Sequence, residues 1–471
     1  MNDNPIRFGT DGWRALIADT FTFENVRACA KAAAQHFRDT QGTDAPLVVG
    51  WDTRFLSQEF ARQAAGVLAE EGFKVLLASR AAPTPAASQQ LVERGAAGGL
   101  VITSSHNPYN WNGVKVKPHY GGSASPAVVA DIEARLPAIL AEGVPAPHPA
   151  PGTVEEFDPV PGYLEAIGER VDLQAIRDAG LRIAFDPMYG TGAGLLAELI
   201  GGGKTTVIET HAEPNPRFPG IRAPEPIDEN LDALKRMVAE GSFDIGIATD
   251  GDSDRLGLVD ERGEYVDQLR AFALLCYFFL EIRGERGAIV RSITTTAMAD
   301  RLGAHYGVDV IETPVGFKHI APVMMERDAL IGGEESGGYG FRGHLPERDG
   351  LLAALYVLEA VAVTGKRPSE LVEAMFAVTG AHYYKREDFA IDERARDEIV
   401  AKLDSAEPAT VAGIAVTGKD RMDGWRFSTD AGWLLFRMSG TEPLLRIYTE
   451  VREERLVDAF ISEGRTIAGV A

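Results

Sequence analysis

Residues 101–117, VITSSHNPYNWNGVKVK, change character partway along. An apolar run ends abruptly in Thr103, Ser104, Ser105, His106, Asn107 and Pro108, and a Gly-containing turn then leads to Lys115 and Lys117. A buried strand that spills into a small polar loop is where α/β sheets carry ligands. The same grammar recurs twice. FDIGIATDGDSDR (243–255) sends an apolar strand into an acidic loop, and ALIGGEESGG (329–338) sends one into a glycine-rich loop.

Outward from these stretches, strands and helices alternate. FTFENVRACAKAAAQHF (21–37) has helical spacing after a Thr22 cap, PLVVGWD (46–52) and KVLLAS (74–79) read as strands, and SQEFARQAAGVLAEEG (57–72) reads as a helix. That alternation predicts layered α/β architecture. The Pro-rich EGVPAPHPAPGT (142–153) has little to bury and reads as a linker. A second unit repeats the pattern from LRIAFDPMYG (181–190), and a third runs from a helix over 267–284 through AIVRSI (288–293) and DVIETPVGFKHI (309–320). The last ninety residues differ: AHYYKREDFAI, a charged helix, then WLLFRMSGTEP and LLRIYTEV suggest a smaller α+β module. The expected domains are 1–150, 151–258, 259–378 and 379–471, with three loops converging on one cleft and the last module as a lid.

Composition narrows the partners. The 471 residues are 45% apolar and carry a net charge of −22, from 47 basic against 69 acidic residues. That balance argues against nucleic acid or an anionic membrane, which want basic surface, but allows a local cationic pocket for an anionic small molecule. Cys29 and Cys276 lie far apart inside apolar helical patterns, as buried free thiols in a reducing compartment would. The start, MNDNPIRFGTDG, has neither a basic n-region nor an apolar h-region, and AFALLCYFFLEI (271–282) is too short to span a bilayer. A soluble cytoplasmic protein is expected.

The loops carry the chemistry. Asp250, Asp252 and Asp254 alternate, so in an extended segment they would project to one side as three hard oxygen ligands for a divalent cation. A calcium EF-hand is a rival, since Glu261 is twelfth from Asp250; it fails because position six is Arg255 rather than Gly and the flanks are strand-like. Three carboxylates with room for another ligand suit a catalytic Mg²⁺. In RMSGTEP (437–443), Arg437 adds a charged fork to the hydroxyls of Ser439 and Thr441 and the exposed backbone at Gly440, a set suited to a phosphate dianion. Glu334 and Ser336 offer an acceptor and a donor-acceptor of the kind sugar hydroxyls need. Ser105 beside His106 invites a hydrolase reading, but adjacent side chains rarely face each other and no G-x-S-x-G elbow surrounds the serine. A serine beside a metal loop and a phosphate loop points to phosphoryl transfer through phosphoserine.

Taken together, FGTDGWR (8–14), TSSHNP, NGVKVK, TDGDSDR, TPVGFKHI, GGEESGG and RMSGTEP resemble the α-D-phosphohexomutase superfamily, which includes phosphoglucomutase and phosphomannomutase, and they span nearly the whole chain. The resemblance implies four domains around a central cleft, the first three of one shared mixed-sheet α/β topology and the fourth a smaller α+β domain. It implies that Ser105 carries the phosphoryl group, with Ser104 its non-reacting neighbour and His106 part of the catalytic set. It implies Mg²⁺ held by Asp250, Asp252, Asp254 and a phosphoserine 105 oxygen, with Arg14 and Arg255 steadying the transferring group. Lys115 aligns as the general acid/base, Lys318 and His319 line the sugar site, Glu334 and Ser336 read the 3- and 4-hydroxyls, and RMSGTEP grips the other phosphate, with Met438 where relatives often carry proline. The implied activity interconverts a hexose 1-phosphate and 6-phosphate, glucose or mannose, through a 1,6-bisphosphate that also serves as activator.

Three rivals stand beside it. FGTDG resembles phosphoglucosamine mutases, although Glu-Glu-Ser-Gly-Gly is nearer the glucose/mannose type. A bisphosphate synthase or phosphatase would use the same parts, and a silent sugar-phosphate binding protein is disfavoured by the serine, three aspartates and lysine. The expected state is a monomer or homodimer.

Overall fold

The computed structural model of the chain describes residues 5–439 and 444–470. Its strands fall into four sheets. The first contains β1 (Trp13–Leu16), β2 (Leu47–Trp51), β3 (Val75–Ala78), β4 (Gly98–Ile102), β5 (Trp111–Pro118) and β6 (Val154–Phe157), in spatial order β1-β5-β4-β2-β3-β6. The second contains β7 (Arg182–Asp186), β8 (Thr206–Glu209), β9 (Ile245–Thr249), β10 (Leu256–Val259) and β11 (Tyr265–Val266), ordered β11-β10-β9-β7-β8. The third contains β12 (Ile289–Ser292), β13 (Val310–Thr313), β14 (Ile331–Gly333) and β15 (Tyr339–Phe341), ordered β13-β12-β14-β15.

One four-strand order underlies all three: β3-β2-β4-β5, β8-β7-β9-β10 and β13-β12-β14-β15. In each, a central strand pairs in parallel on both sides, and the fourth strand returns antiparallel to the third. The central strand β2 is apolar throughout, with Leu47, Val48 and Val49 buried, as a sheet covered on both faces requires. The fourth sheet is antiparallel: β16 (Tyr383–Ala390), β17 (Thr410–Val411), β18 (Ile414–Asp420), β19 (Trp425–Thr429), β20 (Gly432–Met438) and β21 (Leu444–Val451), ordered β16-β21-β20-β19-β18-β17.

Three local expectations change. Residues 111–118 are a continuous strand rather than a turn leading to the lysines, and the chain reverses at 103–110 instead. Gly113 is needed inside β5 because a Cβ there would lie 2.6 Å from the carbonyls of both Thr103 and Trp13. The Pro-rich segment is a strap. The Val144 carbonyl accepts from Arg27 Nε (2.7 Å), His148 N donates to Glu70 (2.6 Å), and Pro147 occupies the space a side chain at Gly66 would fill. It delivers β6 back to its own sheet, so the first sheet runs past position 150, and β11 likewise carries the second past 258.

The first unit has its own core, from Trp13, Phe21, Phe37 and Phe60 to Val114 and Leu136, and the fourth has another around Phe427, Phe436 and Phe460. The second and third share one. Phe185, Ile245 and Leu256 belong to the same apolar cluster as Phe272, Ile331 and the helix Gly350–Thr364. That helix is apolar on almost every face because it is sandwiched between them; Asp349 caps it and also accepts from Tyr163 Oη across the seam (2.8 Å). Cys29 and Cys276 are buried free thiols, and no helix among the described residues is long and apolar enough to cross a membrane.

Candidate active site

The three loops occupy one topological position. Each joins the third strand of its unit to the antiparallel fourth: 103–110 between β4 and β5, 250–255 between β9 and β10, 334–338 between β14 and β15. The similarity of sequence grammar is therefore a similarity of place. The loops meet. The Leu256 amide donates to the Gly337 carbonyl (2.9 Å), tying the acidic loop to the glycine-rich one, and Ser105 Oγ donates to Asp250 Oδ2 (2.7 Å).

The aspartates do not converge by alternation along a strand. The segment turns, with Ser253 N donating to the Asp250 carbonyl (3.0 Å) and Ser253 in the left-handed region at φ 58°. The turn brings one carboxylate oxygen from each of Asp250, Asp252 and Asp254 within 4.8 Å of the others, all fully buried. Asp250 Oδ1 accepts from the amides of Asp254 (2.9 Å) and Arg255 (3.1 Å). Oδ1 of Asp252 and of Asp254 are buried with no hydrogen-bond partner. Orphaned carboxylate oxygens are costly in an apolar setting and suit a hard cation. Burial, then repulsion from Asp254 and Asp252, pushes the Asp250 carboxyl well above its usual range. The rival calcium ligand, Glu261, is turned to Ser369, whose hydroxyl it accepts at 2.6 Å.

Around this cluster the charges alternate. Lys115 Nζ lies 2.8 Å from Asp252, 2.6 Å from Asp254 and 2.9 Å from Asp11, and Thr84 Oγ1 also donates to Asp252 (2.5 Å). Burial opposes a charged Lys115, but Asp11, Asp252 and Asp254 outweigh it and raise its pKa, so it is an ammonium here. Arg348 reaches Asp254 (2.9 Å), Glu334 (3.6 Å), Glu347 (3.2 Å) and Asp11, connecting the third unit to both others.

Ser105 is buried at φ 49°, a strained conformation for a non-glycine residue, with its amide bonded to Thr103 Oγ1 (2.8 Å). His106 does face its neighbour: Nδ1 is 3.2 Å from Ser105 Oγ, and burial, then Arg255 and Arg14, hold the ring well below its ordinary pKa. Its other nitrogen is 4.0 Å from Glu225, which is bonded to Arg255 (3.0 Å). Arg14 donates to Asn107 (2.8 Å), whose Oδ1 also accepts from Ser104, so Ser104 serves the shape of the loop.

The other expected contacts lie on the third and fourth units. Glu334 is buried, and burial raises its carboxyl against the pull of Arg348, while Ser336 Oγ is buried without a partner. Glu335 between them turns to the fourth unit, accepting from Tyr384 Oη (2.7 Å) and Arg386 (3.3 Å). Lys318 and His319 begin the helix Phe317–Arg327; burial and Lys318 lower the imidazole's pKa. Arg437, next to last in β20, forms an ion pair with Asp423 (2.9 Å), which also accepts from the Val315 amide (2.8 Å). Ser439 donates its amide to Leu444 (2.9 Å). Gly440 and Thr441 lie outside the described residues. Sequence reasoning missed Asp11, Thr84, Arg348 and Glu225. Only Asp11 lay in a quoted motif, FGTDGWR, and it carried no sign of its partners there.

Comparison with known proteins agrees along the whole length. Models of the phosphoglucomutase/phosphomannomutase α/β/α domains I, II and III match residues 5–142, 161–263 and 269–378, and that of the C-terminal domain matches 398–464. The chain is 32% identical over 458 residues to a phosphoglucomutase/phosphomannomutase of Thermococcus kodakarensis, covering 97% of both. It is 30% identical to a phosphoglucosamine mutase of Frankia alni, covering 95% of this chain and 94% of that one. A solved protein of Thermus thermophilus classed with the phosphomannomutases superposes with a TM-score of 0.88 at 36% identity, covering 99% of each. With its repeated sheets, serine loop and buried aspartate cluster, the chain belongs to the α-D-phosphohexomutase superfamily and is an intramolecular phosphotransferase of the isomerase class.

Proposed function

We propose that the enzyme interconverts hexose 1-phosphate and hexose 6-phosphate, with glucose or mannose as the sugar, through phosphoserine 105 and a hexose 1,6-bisphosphate. The observation that carries this is Ser105 Oγ held 2.7 Å from Asp250 at the edge of a three-aspartate cluster with two orphaned oxygens. Those residues fit Mg²⁺: Asp250, Asp252 and Asp254 would hold it, with an oxygen on Ser105 as a further ligand. Bound there, the cation would neutralise charge on the transferring phosphoryl group.

The chain's own groups account for the rest. The P–O bond to Ser105 breaks as one forms to a sugar hydroxyl, and over the transfer the hydroxyl's proton is passed, by way of Lys115, to the departing Ser105 oxygen. Lys115, an ammonium among three carboxylates, starts as an acid able to supply a proton where Ser105 becomes the leaving oxygen. Arg14 and Arg255 flank the loop to offset developing negative charge, so positioning and electrostatics supply most of the rate. Glu334 and Ser336 would read sugar hydroxyls, and the 437–441 loop would grip the far phosphate. The bisphosphate then turns end for end and returns its other phosphoryl group to Ser105. Closure of the fourth unit would keep water from phosphoserine.

Coupled assays with glucose 1-phosphate, mannose 1-phosphate and glucosamine 1-phosphate side by side, on the unsubstituted chain and Ser105→Ala, test this. Turnover of either neutral sugar that vanishes in the variant is expected. A second reading, glucosamine phosphate as substrate, is favoured by the 30% match to the Frankia enzyme, and dominant turnover of the amino sugar would establish it instead.

A further inference from the structure

We infer that Arg54 is the positioning residue that clamps the serine loop in its working shape: one buried guanidinium gathers the carbonyls of Ser105, Asn107, Pro108 and Trp111. Nη2 donates to Ser105 and Asn107 (2.6 Å each), and Nη1 donates to Pro108 (2.9 Å) and Trp111 (3.2 Å). Arg54 is 4% exposed, and Asp52, 3.3 Å from Nε, is the single carboxylate within ion-pair distance among the described residues. A cation removed from water is costly unless its donors are satisfied. Here the fork is spent almost entirely on the backbone of one loop. Only the planar five-donor guanidinium can bridge so many acceptors at once.

The loop it holds is strained and must be aimed. Ser105 sits at φ 49°, the one positive φ between 103 and 110. The guanidinium also lies 5.1 Å from the Phe218 ring of the second unit, and the adjacent Thr53 Oγ1 donates to the Tyr189 carbonyl there (2.9 Å). Arg54 thus fixes the serine loop against the unit that carries Asp250. Without the clamp the loop can relax, and displacement of a reacting atom by about 1 Å costs roughly 10²-fold in rate.

The inference rests on Ser105 being the nucleophile. Arg54→Lys keeps the charge but cannot reach four carbonyls. Expected are a thermal transition within a few degrees of the parent, kcat lower by about 10²-fold, KM within about threefold, and transfer from glucose 1,6-bisphosphate onto Ser105 slowed by the same factor in single turnover. A folded Arg54→Lys with kcat within threefold of the parent overturns the clamp. Should Arg54→Lys fail to fold, Asp52→Asn, which removes the carboxylate that anchors the guanidinium from behind and frees the fork to swing off the loop, is read the same way: about tenfold lower kcat supports the clamp, and unchanged kcat overturns it. Ser105→Ala runs alongside. If it keeps turning over, the nucleophile reading falls and the clamp with it; if it is dead while the Arg54 or Asp52 variant is unimpaired, only the clamp falls.

Discussion

The acidic loop at 250–255 and the glycine-rich loop at 334–338 sit at the same point of the same sheet topology, yet they are built oppositely. In the first, three fully buried carboxylates are braced by Ser105, Thr84, Lys115 and Arg348, and charge is met by charge. In the second, Gly337 at φ 87° lets the chain turn close against the Leu256 carbonyl, and Ser336 Oγ waits without a partner. On the proposed function, the difference is between holding an ion and receiving a polyol. An ion site must be shaped before the ion arrives, because unscreened charges would otherwise rearrange. A hydroxyl-reading site needs open donors and acceptors that the ligand itself completes.

The sharpest way to break the contrast is to neutralise the acidic loop. Asp250→Asn should lower kcat on the order of 10³-fold, while the metal-free thermal transition stays put or rises, because a buried like-charge contact is relieved. Chelation of the parent should likewise abolish turnover without unfolding it. A collapse of the fold on chelation would make the site structural.

Changes in the receiving loop should be smaller and purely kinetic. Ser336→Ala deletes a hydroxyl with no protein partner, so its thermal transition should stay within about 2 °C, and kcat/KM should fall roughly 10–100-fold. A loss of stability without loss of kcat/KM would mean the hydroxyl is structural after all. Arg437→Ala tests the far phosphate. Contact with a phosphate in ground and transition states alike should raise KM roughly tenfold at nearly constant kcat and increase released bisphosphate. If neither moves, the fourth unit does not grip the substrate.

The smallest expected effect lies where that unit docks. Glu450 on β21 accepts from the Ala297 amide of the third unit (2.8 Å), and burial raises its pKa from 4.5 to about 7. Because the folded value is raised, its contribution is full below pH 4.5 and is lost as pH rises through about 7. Glu450→Gln should flatten that slope and hold the chain steadier above neutrality, by at most roughly 3 kcal/mol for a shift of that size. Denaturant melts at pH 5 and pH 8 compare the two; an unchanged slope would rule Glu450 out as its source.

What the sequence revealed follows the same divide. Asp250, Asp252 and Asp254 were legible because the whole cluster lies within five residues, and Ser105 because its loop interrupts an apolar strand. Arg54, Thr84 and Arg348 were not, since each reaches the site from a distant segment and carries no local signature. Gly113 was misread because a glycine kept for strand crowding looks, locally, like one kept for a turn. The shared topology was legible only through the family resemblance, and the particular strand order was out of reach. Periodicity marks strands but not which neighbour each one chooses, and the return of β5, β10 and β15 is set by packing.

The continuous apolar core beneath the second and third units has a mechanical meaning. It should make them one foldon: amides in β9 and in the helix Gly350–Thr364 should exchange in the same opening event, so four modules unfold as three. Give between parts is then confined to the two outer seams. With Leu256 bonded to Gly337 across the interior, the gap between the acidic loop and the glycine-rich loop behaves as a rigid gauge. On the proposed cycle, a bisphosphate that reverses inside the cleft is measured twice against that one fixed length, so both of its ends meet Ser105 at the same reach.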